Sequence, residues 1–105
     1  MHIVKIDEYG ITFDNGSKIT CDHEQEGGED NFADFEQVDD LARDYNFEPE
    51  IKFEEVKNAG FRFGDSRRMF FIPCYSVQSG YYCSAVDIYM DGEHVLNALA
   101  ELKEY

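Results

Sequence analysis

Residues 22–55 combine a strong negative charge with regularly interleaved apolar residues, and this combination limits what the chain can fold into. They include fourteen acidic residues against only Arg43 and Lys52, so they carry most of the chain's net charge of −14. A disordered charged tail would lack large apolar side chains, whereas eight of them recur here. They are Phe32, Phe35, Val38, Leu41, Tyr45, Phe47, Ile51 and Phe53. The stretch is therefore predicted to belong to a folded surface with a strong negative field.

Length and composition predict one soluble domain. A chain of 105 residues is long enough for a single core, so residues 1–105 are expected to form one domain. The apolar fraction of 43% is that of a packed protein. No stretch approaches the roughly 18 apolar residues of a membrane-spanning helix, and residues 1–5 lack the features of a signal peptide, which predicts a cytoplasmic location. A pI near 4.3 disfavours direct binding to nucleic acid or to an anionic membrane, since both would repel this surface.

Apolar alternation and turn signals predict a sheet. Asn15-Gly16 predicts a two-residue type I′ hairpin turn, because both central positions of that turn need a positive φ. The nearly continuous apolar run 69–75 is typical of a central strand covered on both faces, with Pro73 at an edge, a bulge or a strand end. Strands are predicted at residues 2–6, 11–14, 17–22, 50–56, 61–63, 69–75 and 81–90, with a polar loop at residues 23–30.

Two helices are predicted beside this sheet. In residues 31–45 the apolar side chains recur at spacings of three and four, as on an amphipathic helix, although residues 31–35 would also fit the end of a strand. The same spacing recurs in residues 93–103 and predicts a C-terminal helix. Its apolar stripe would consist of Val95, Leu96, Leu99 and Leu102. The predicted fold class is therefore α+β, a mostly antiparallel sheet of about six strands with an acidic helix and a C-terminal helix.

The predicted acidic helix gathers its carboxylates on the face opposite the apolar side chains. DNA carries one charge per about 1.7 Å of its axis, so carboxylates one helical turn apart can occupy the basic channel of a nucleic-acid-binding protein. The candidate partner-binding residues are Glu29, Asp30, Asp34, Glu36, Asp40 and Asp44. The alternative interpretation is a solvated acidic surface that serves only solubility.

Cys21 and His23 form a second candidate site, because alternate residues of a strand project to the same side. Thiolate and imidazole are zinc ligands, and Cys74 or Cys83 would complete the set from another strand. Three cysteines in a chain without secretory features are expected to be free thiols or metal ligands rather than disulfides. Against zinc, the sequence has no CxxC pair and Cys21 shares its face with Ile19. Calcium is disfavoured because the nearby acids lack EF-hand spacing.

No enzyme motif stands out in the sequence. It contains no Walker loop and no nucleophile elbow, and its acids are too numerous to single out a general acid. Cys74 and His23 would form a thiol–imidazole pair if the fold brought them together, but a buried structural cysteine is the more common case. The chain is therefore predicted not to be an enzyme.

Aromatic and basic clusters mark two further surfaces. Three tyrosines beside Gln78 predict either interface anchors or cross-strand packing. They are Tyr75, Tyr81 and Tyr82. The one basic cluster is expected either to pair internally with the acidic helix or to contact the same partner. It consists of Arg62, Arg67 and Arg68.

Three blocks of the sequence resemble a family of small uncharacterised proteins from phages and bacterial mobile elements. The blocks are Phe13-Asp14-Asn15-Gly16, then His23-Glu24-Gln25 leading to Glu29 and Ala33-Asp34-Phe35, and then Phe71-Ile72-Pro73-Cys74-Tyr75 with Gln78, Gly80, Tyr81 and Tyr82. The resemblance spans roughly residues 10–90, and the proline-cysteine-tyrosine hairpin is its most specific part. In that family a cysteine pair usually occupies the position of Gly27-Gly28, so this chain departs from the pattern where a metal or redox site would lie beside His23.

The resemblance implies a role in the conflict between phages and their hosts. Small acidic phage proteins include inhibitors of host defence, some of which resemble DNA in charge and occupy the nucleic-acid channel of a nuclease. Together with the charge of residues 22–55, this predicts a non-enzymatic, anti-CRISPR-like inhibitor that binds a CRISPR effector or another basic nucleic-acid-handling protein in the host cytosol. The alternative function is a small zinc-binding module organised on Cys21 and His23. Zinc would be the cofactor of that module, and the inhibitor itself is predicted to need no cofactor.

Overall fold

The part of the chain that the structure describes folds into two β-sheets with little helix. The computed structural model describes the backbone of residues 1–21, 25–26, 29–78, 85–99 and 101–104, and the side chains of residues 1–21, 32–75 and 86–98. Within these residues there are eleven strands. They are β1 (Ile3–Asp7), β2 (Gly10–Phe13), β3 (Lys18–Cys21), β4 (Gln25–Glu26), β5 (Glu29–Ala33), β6 (Lys52–Val56), β7 (Gly60–Gly64), β8 (Met69–Gln78), β9 (Ala85–Met90), β10 (Glu93–Leu99) and β11 (Glu101–Glu104).

The two sheets differ in their strand order. One has the order β1-β2-β3-β9-β10, and the other has the order β4-β5-β8-β7-β6 with β11 beside β8. β11 is parallel to β8, whereas the other described pairs are antiparallel. The predicted strands at residues 2–6, 50–56, 61–63 and 69–75 are confirmed as β1, β6, β7 and β8.

β8 is the central strand of the larger sheet, as its apolar run predicts. Its first half pairs with β7 as far as Pro73, which lies opposite Gly60, and its second half pairs with β5 from Cys74 onward, opposite Ala33. Pro73 therefore lies inside β8, at the point where the pairing with β7 stops, and not at the end of the strand. The Pro73 carbonyl accepts the Asp34 amide at 2.8 Å on the β5 side, so the amide proton that Pro73 lacks would also point to that side. A proline fits there because the pairing of β8 with β5 begins only at Cys74.

The inward faces of both sheets form a core rich in phenylalanine. The alternation of side chains along each strand places apolar residues on this face. Buried strand residues of the core are Ile3, Ile11, Phe13, Ile19, Ala33, Phe61, Phe63, Phe70, Ile72, Cys74, Val86, Ile88 and Ala98. Phe35, Val38, Ala42 and Phe47 join them from the segment between β5 and β6.

The predicted acidic helix at residues 31–45 is wrong, and with it the α+β fold class. Residues 31–33 end β5, and only a 3₁₀ turn (Phe35–Gln37) and one turn of α-helix, α1 (Leu41–Asp44), follow. Most residues of the segment, including four aspartates, are poor helix formers, so local propensity does not oppose the strand pairing of β5. The protein is mostly β, and its described strands form two sheets.

The predicted C-terminal helix at residues 93–103 is also wrong, because this segment forms β10 and β11. Asp91 and Gly92 have φ values of 53° and 85°, so they form a two-residue hairpin turn that returns the chain beside β9. A bulge between His94 and Leu96 then shifts the alternation by one residue. Residues 96–99 then pair with β9 in regular register, so their helix-like apolar spacing did not outweigh the strand pairing.

Two predicted connections also differ in detail. The hairpin at Asn15-Gly16 is confirmed, but only Gly16 has a positive φ, so the turn is not type I′. The Gly16 amide donates to the Phe13 carbonyl at 3.0 Å, and the Phe13 amide donates to the Ser17 carbonyl at 2.8 Å, as in a three-residue loop with a bulge. The predicted loop 23–30 contains β4 and the start of β5, while residues 22–24 and Gly27-Gly28 lie outside the described residues.

Among the described residues, no helix is both long and apolar enough to cross a membrane.

Candidate functional site

Residues 34–50, here called the acidic connection, join β5 to β6 and expose a group of carboxylates. The exposed acids are Glu36, Asp39, Asp40, Asp44, Glu48 and Glu50. Arg43 is the only basic residue of the segment, and its Nε lies 3.9 Å from a carboxylate oxygen of Asp40, whose side chain is fully exposed. An exposed pair at this distance offsets little charge. The acidic connection therefore presents a strongly negative surface.

The predicted partner-binding residues do not share a helix face. Glu36, Asp40 and Asp44 lie on the acidic connection and are exposed. Asp34 is half-buried and structural, because its amide donates to the Pro73 carbonyl at 2.8 Å and its carboxylate accepts a hydrogen bond from Gln37 at 2.6 Å. Glu29 and Asp30 lie on β5, with side chains outside the described residues.

Leu41 is an exposed apolar side chain in the middle of this acidic surface. Its side chain is 55% exposed, although the helical spacing of the sequence predicts that it packs on the core. The carboxylate of Asp39 accepts a hydrogen bond from the Leu41 amide at 2.9 Å, and its neighbour Ala42 is buried, so the backbone at this position is held on both sides. Leu41 therefore offers an apolar contact surface in the middle of the exposed carboxylates.

Asp65 fixes the far end of the acidic connection to the turn between β7 and β8. Its buried carboxylate accepts hydrogen bonds from the Tyr45 hydroxyl at 2.9 Å and from the Glu48 amide at 3.0 Å. From its own turn, the carboxylate accepts hydrogen bonds from the amides of Arg67 at 2.9 Å and Arg68 at 3.1 Å. It also accepts a hydrogen bond from the Arg67 guanidinium at 3.2 Å. The acidic connection is thus held by a carboxylate that was not among the predicted site residues. An aspartate that opens the turn 65–68 was the available signal.

The ionisation of Asp65 follows from these contacts. Burial by itself raises the pKa of a carboxyl group, but here the hydrogen bonds from the Glu48 and Arg67 amides, from Tyr45 and from the Arg67 guanidinium outweigh it. They hold the pKa of Asp65 well below its usual value of 3.8. Asp65 is therefore a carboxylate throughout the physiological pH range.

The predicted basic cluster pairs internally, but its partners are not on a helix. Arg62 contacts Glu54 at 3.0 Å across β6 and β7, and Arg67 contacts Asp65. The Arg68 guanidinium lies 4.8 Å from the centre of the Phe70 ring. Each of the three arginines therefore makes a contact within the protein.

The predicted zinc ligands are only partly brought together. Cys21 ends β3 and is half-buried, while Cys74 is buried in the core. Burial, together with the nearby Cys21, raises the pKa of the Cys74 thiol to about 12, which disfavours the thiolate that a metal or a nucleophile needs. His23 and Cys83 lie outside the described residues. Within the described part of the chain, no group of three or more His, Cys, Asp or Glu residues could hold a metal ion.

We expect Cys74 to resist alkylation in the folded protein, because its side chain is buried and its thiol is protonated. Treatment with iodoacetamide at pH 8, followed by digestion and mass spectrometry, should label the half-buried Cys21 much faster than Cys74. In urea the two residues should react at similar rates. Rapid labelling of Cys74 in the folded protein would show that this thiol is accessible and reactive after all.

Tyr75 packs across strands, which is one of the two roles predicted for the tyrosine cluster. It lies opposite Phe32 of β5, and the two ring centres are 5.7 Å apart. Its hydroxyl lies 3.3 Å from the side-chain nitrogen of Gln37 in the acidic connection. The side chains of Gln78, Tyr81 and Tyr82 lie outside the described residues.

Fold and surface together define a small acidic protein of two β-sheets with an exposed carboxylate-rich connection. Comparisons with protein-family models, with curated proteins and with solved structures find no match for this chain. The resemblance to phage and mobile-element proteins accordingly remains a prediction from its sequence blocks.

Proposed function

We propose that this protein is a non-enzymatic binding protein that inhibits a basic, nucleic-acid-handling partner through the acidic connection. The observation that carries the proposal is the exposed Leu41 among the exposed carboxylates of residues 36–50. Carboxylates attract and orient a basic surface over long range, while a central apolar side chain contributes contact energy that does not depend on salt. Such binding needs no cofactor.

The identity of the partner rests on the charge and on the sequence resemblance. A net charge of −14 suits a protein that competes with nucleic acid for a basic channel. The anti-CRISPR-like role implied by the sequence blocks places a CRISPR effector first among such partners, with the cytosol as the compartment where they meet. An enzyme mechanism has no support from the acidic connection, because its carboxylates are exposed and dispersed along an irregular segment.

Charge reversal on the acidic connection tests the proposal. We expect a triple variant to lose at least roughly tenfold in affinity for the partner, because each lysine replaces an attraction with a repulsion. The variant combines Glu36→Lys, Asp40→Lys and Asp44→Lys. Binding would be measured by biolayer interferometry against a panel of basic nucleic-acid-binding proteins, including CRISPR effector complexes, at several salt concentrations and with competing DNA. For the wild-type protein, both salt and DNA should weaken the binding.

A matched control separates the acidic connection from net charge. The control variant makes the same change in charge at exposed acids elsewhere in the fold. It combines Glu8→Lys, Glu55→Lys and Glu93→Lys. It should retain most of the affinity. Equal losses in both variants, or no binding to any member of the panel, would contradict the assignment of the site.

A further inference from the structure

The outward face of β8 carries a row of large apolar side chains. Phe70, Ile72 and Cys74 face the core and are buried, so the alternate residues Met69, Phe71, Pro73 and Tyr75 lie on the opposite face. Of these, Phe71 is exposed, Met69 and Tyr75 are half-buried, and Pro73 is buried between its neighbours. Phe71 is 40% exposed, although its sequence predicts a strand covered on both faces. We call Met69, Phe71 and Tyr75, together with Phe32 opposite Tyr75, the aromatic ridge.

The described charges beside the exposed part of this ridge form an ion pair. Arg62 lies opposite Phe71 in the strand register, but its guanidinium contacts the Glu54 carboxylate at 3.0 Å. From Phe71 to Tyr75 the strand extends roughly 13 Å, enough to accommodate a few side chains of an extended segment. An exposed aromatic of this kind is a common anchor in protein interfaces.

The ridge is continuous with the acidic connection. The Tyr75 hydroxyl lies 3.3 Å from the Gln37 side-chain nitrogen, which in turn donates to the Asp34 carboxylate at 2.6 Å. One partner segment can therefore lie on the ridge and reach the carboxylates that follow Gln37. These carboxylates set the sign of charge that the partner must carry, because a neutral or acidic segment would gain nothing from them.

We propose that the partner engages this protein through a segment rich in Lys and Arg that also carries large apolar side chains, with the apolar residues packed on the aromatic ridge and the basic residues on the acidic connection. This inference rests on the proposed function and specifies the chemistry of its partner. It also distinguishes the surface from a pure polyanion mimic, which would recognise positive charge alone.

Two synthetic peptides of equal length and equal positive charge test this inference. In one the basic residues are separated by Leu and Trp, and in the other by Ser and Gly. We expect the wild-type protein to bind the apolar peptide at least about tenfold more tightly, and the Phe71→Ala variant to lose most of this preference. Phe71→Tyr, which keeps the ring, should retain it. Far-UV circular dichroism would verify that each variant is folded.

The outcomes separate the inference from the proposed function. Equal binding of both peptides by the wild-type protein, weakened by the charge-reversal variant of the acidic connection, would overturn the role of the ridge and leave the acidic connection as the site. A preference that survives in Phe71→Ala would likewise overturn the role of the ridge. Binding of neither peptide would contradict the proposed function itself.

Discussion

Replacing Phe47 by alanine should destabilise the protein by about 3–5 kcal/mol. Phe47 is buried at the centre of an aromatic cluster, with its ring centre 4.7 Å from Tyr45, 5.5 Å from Phe13, and 5.6 Å from both Phe63 and Phe70. Truncation removes contacts to both sheets and leaves a cavity that rigid strands cannot close. The loss is large compared with the 5–15 kcal/mol that stabilise a typical domain.

Urea unfolding followed by far-UV circular dichroism would measure this loss, since the chain has no tryptophan. If Phe47→Ala does not fold, Phe47→Leu should fold and lose less, about 1.5 kcal/mol, because the larger side chain fills most of the cavity. Phe71→Ala is the matched control. Because the Phe71 ring is partly exposed, its removal should lower the free energy of unfolding by less than about 1 kcal/mol. Equal losses at Phe47 and Phe71 would contradict the placement of the core.

Replacing Asp65 by asparagine should lower the free energy of unfolding by roughly 3 kcal/mol or more at pH 7. The carboxylate accepts hydrogen bonds from Tyr45, Glu48, Arg67 and Arg68, and a neutral amide cannot accept all of them or balance the Arg67 guanidinium. Because these bonds hold the acidic connection against the turn 65–68, we also expect faster amide hydrogen exchange at Glu48 in the variant. Asp44→Asn, at an exposed carboxylate, should change stability by no more than about 0.5 kcal/mol.

The difference between wild-type protein and Asp65→Asn should depend on pH. The pKa of Asp65 is lower in the folded protein than in the unfolded chain, where it is near the usual 3.8. The contribution of the ionised carboxylate to the free energy of unfolding is therefore fully present above the unfolded-state pKa. It is lost as the pH falls from there toward the folded-state pKa. The gap between the two unfolding free energies should therefore be constant from pH 7 to about pH 5 and narrow below about pH 4. A gap that stays constant down to pH 3 would show that the carboxylate is not preferentially ionised in the folded state.

Several strands could be predicted because short-range alternation is enough to specify them. The alternating residues at the start of β6 carry the two-residue period, and the continuous apolar run that became β8 is itself typical of a central strand. Residues 31–45 and 93–103 could not be assigned in this way. Spacings of three and four also occur in residues 96–99, which pair with β9 in regular register, and in an irregular segment that buries only some of its apolar residues, as residues 34–45 do.

The candidate site was predictable in its charge but not in its shape. Glu36, Asp40 and Asp44 remain exposed acids in the structure, as the sequence predicts. The sequence also placed Leu41 and Phe71 in covered positions, whereas both are exposed. Exposure depends on which residues pack above a position, and those residues come from distant parts of the chain.

The sequence by itself determined the negative charge, the apolar run of the central strand β8, and the hairpin turn at Asn15-Gly16, because each of these depends on residues that are neighbours along the chain. Tertiary structure decided that residues 31–45 and 93–103 would not be helices, that Asp65 would fix the acidic connection, and that Leu41 and Phe71 would reach the surface. A strand is completed by hydrogen bonds to a partner that lies far away in sequence, and local preferences as weak as those of these segments yield to that pairing.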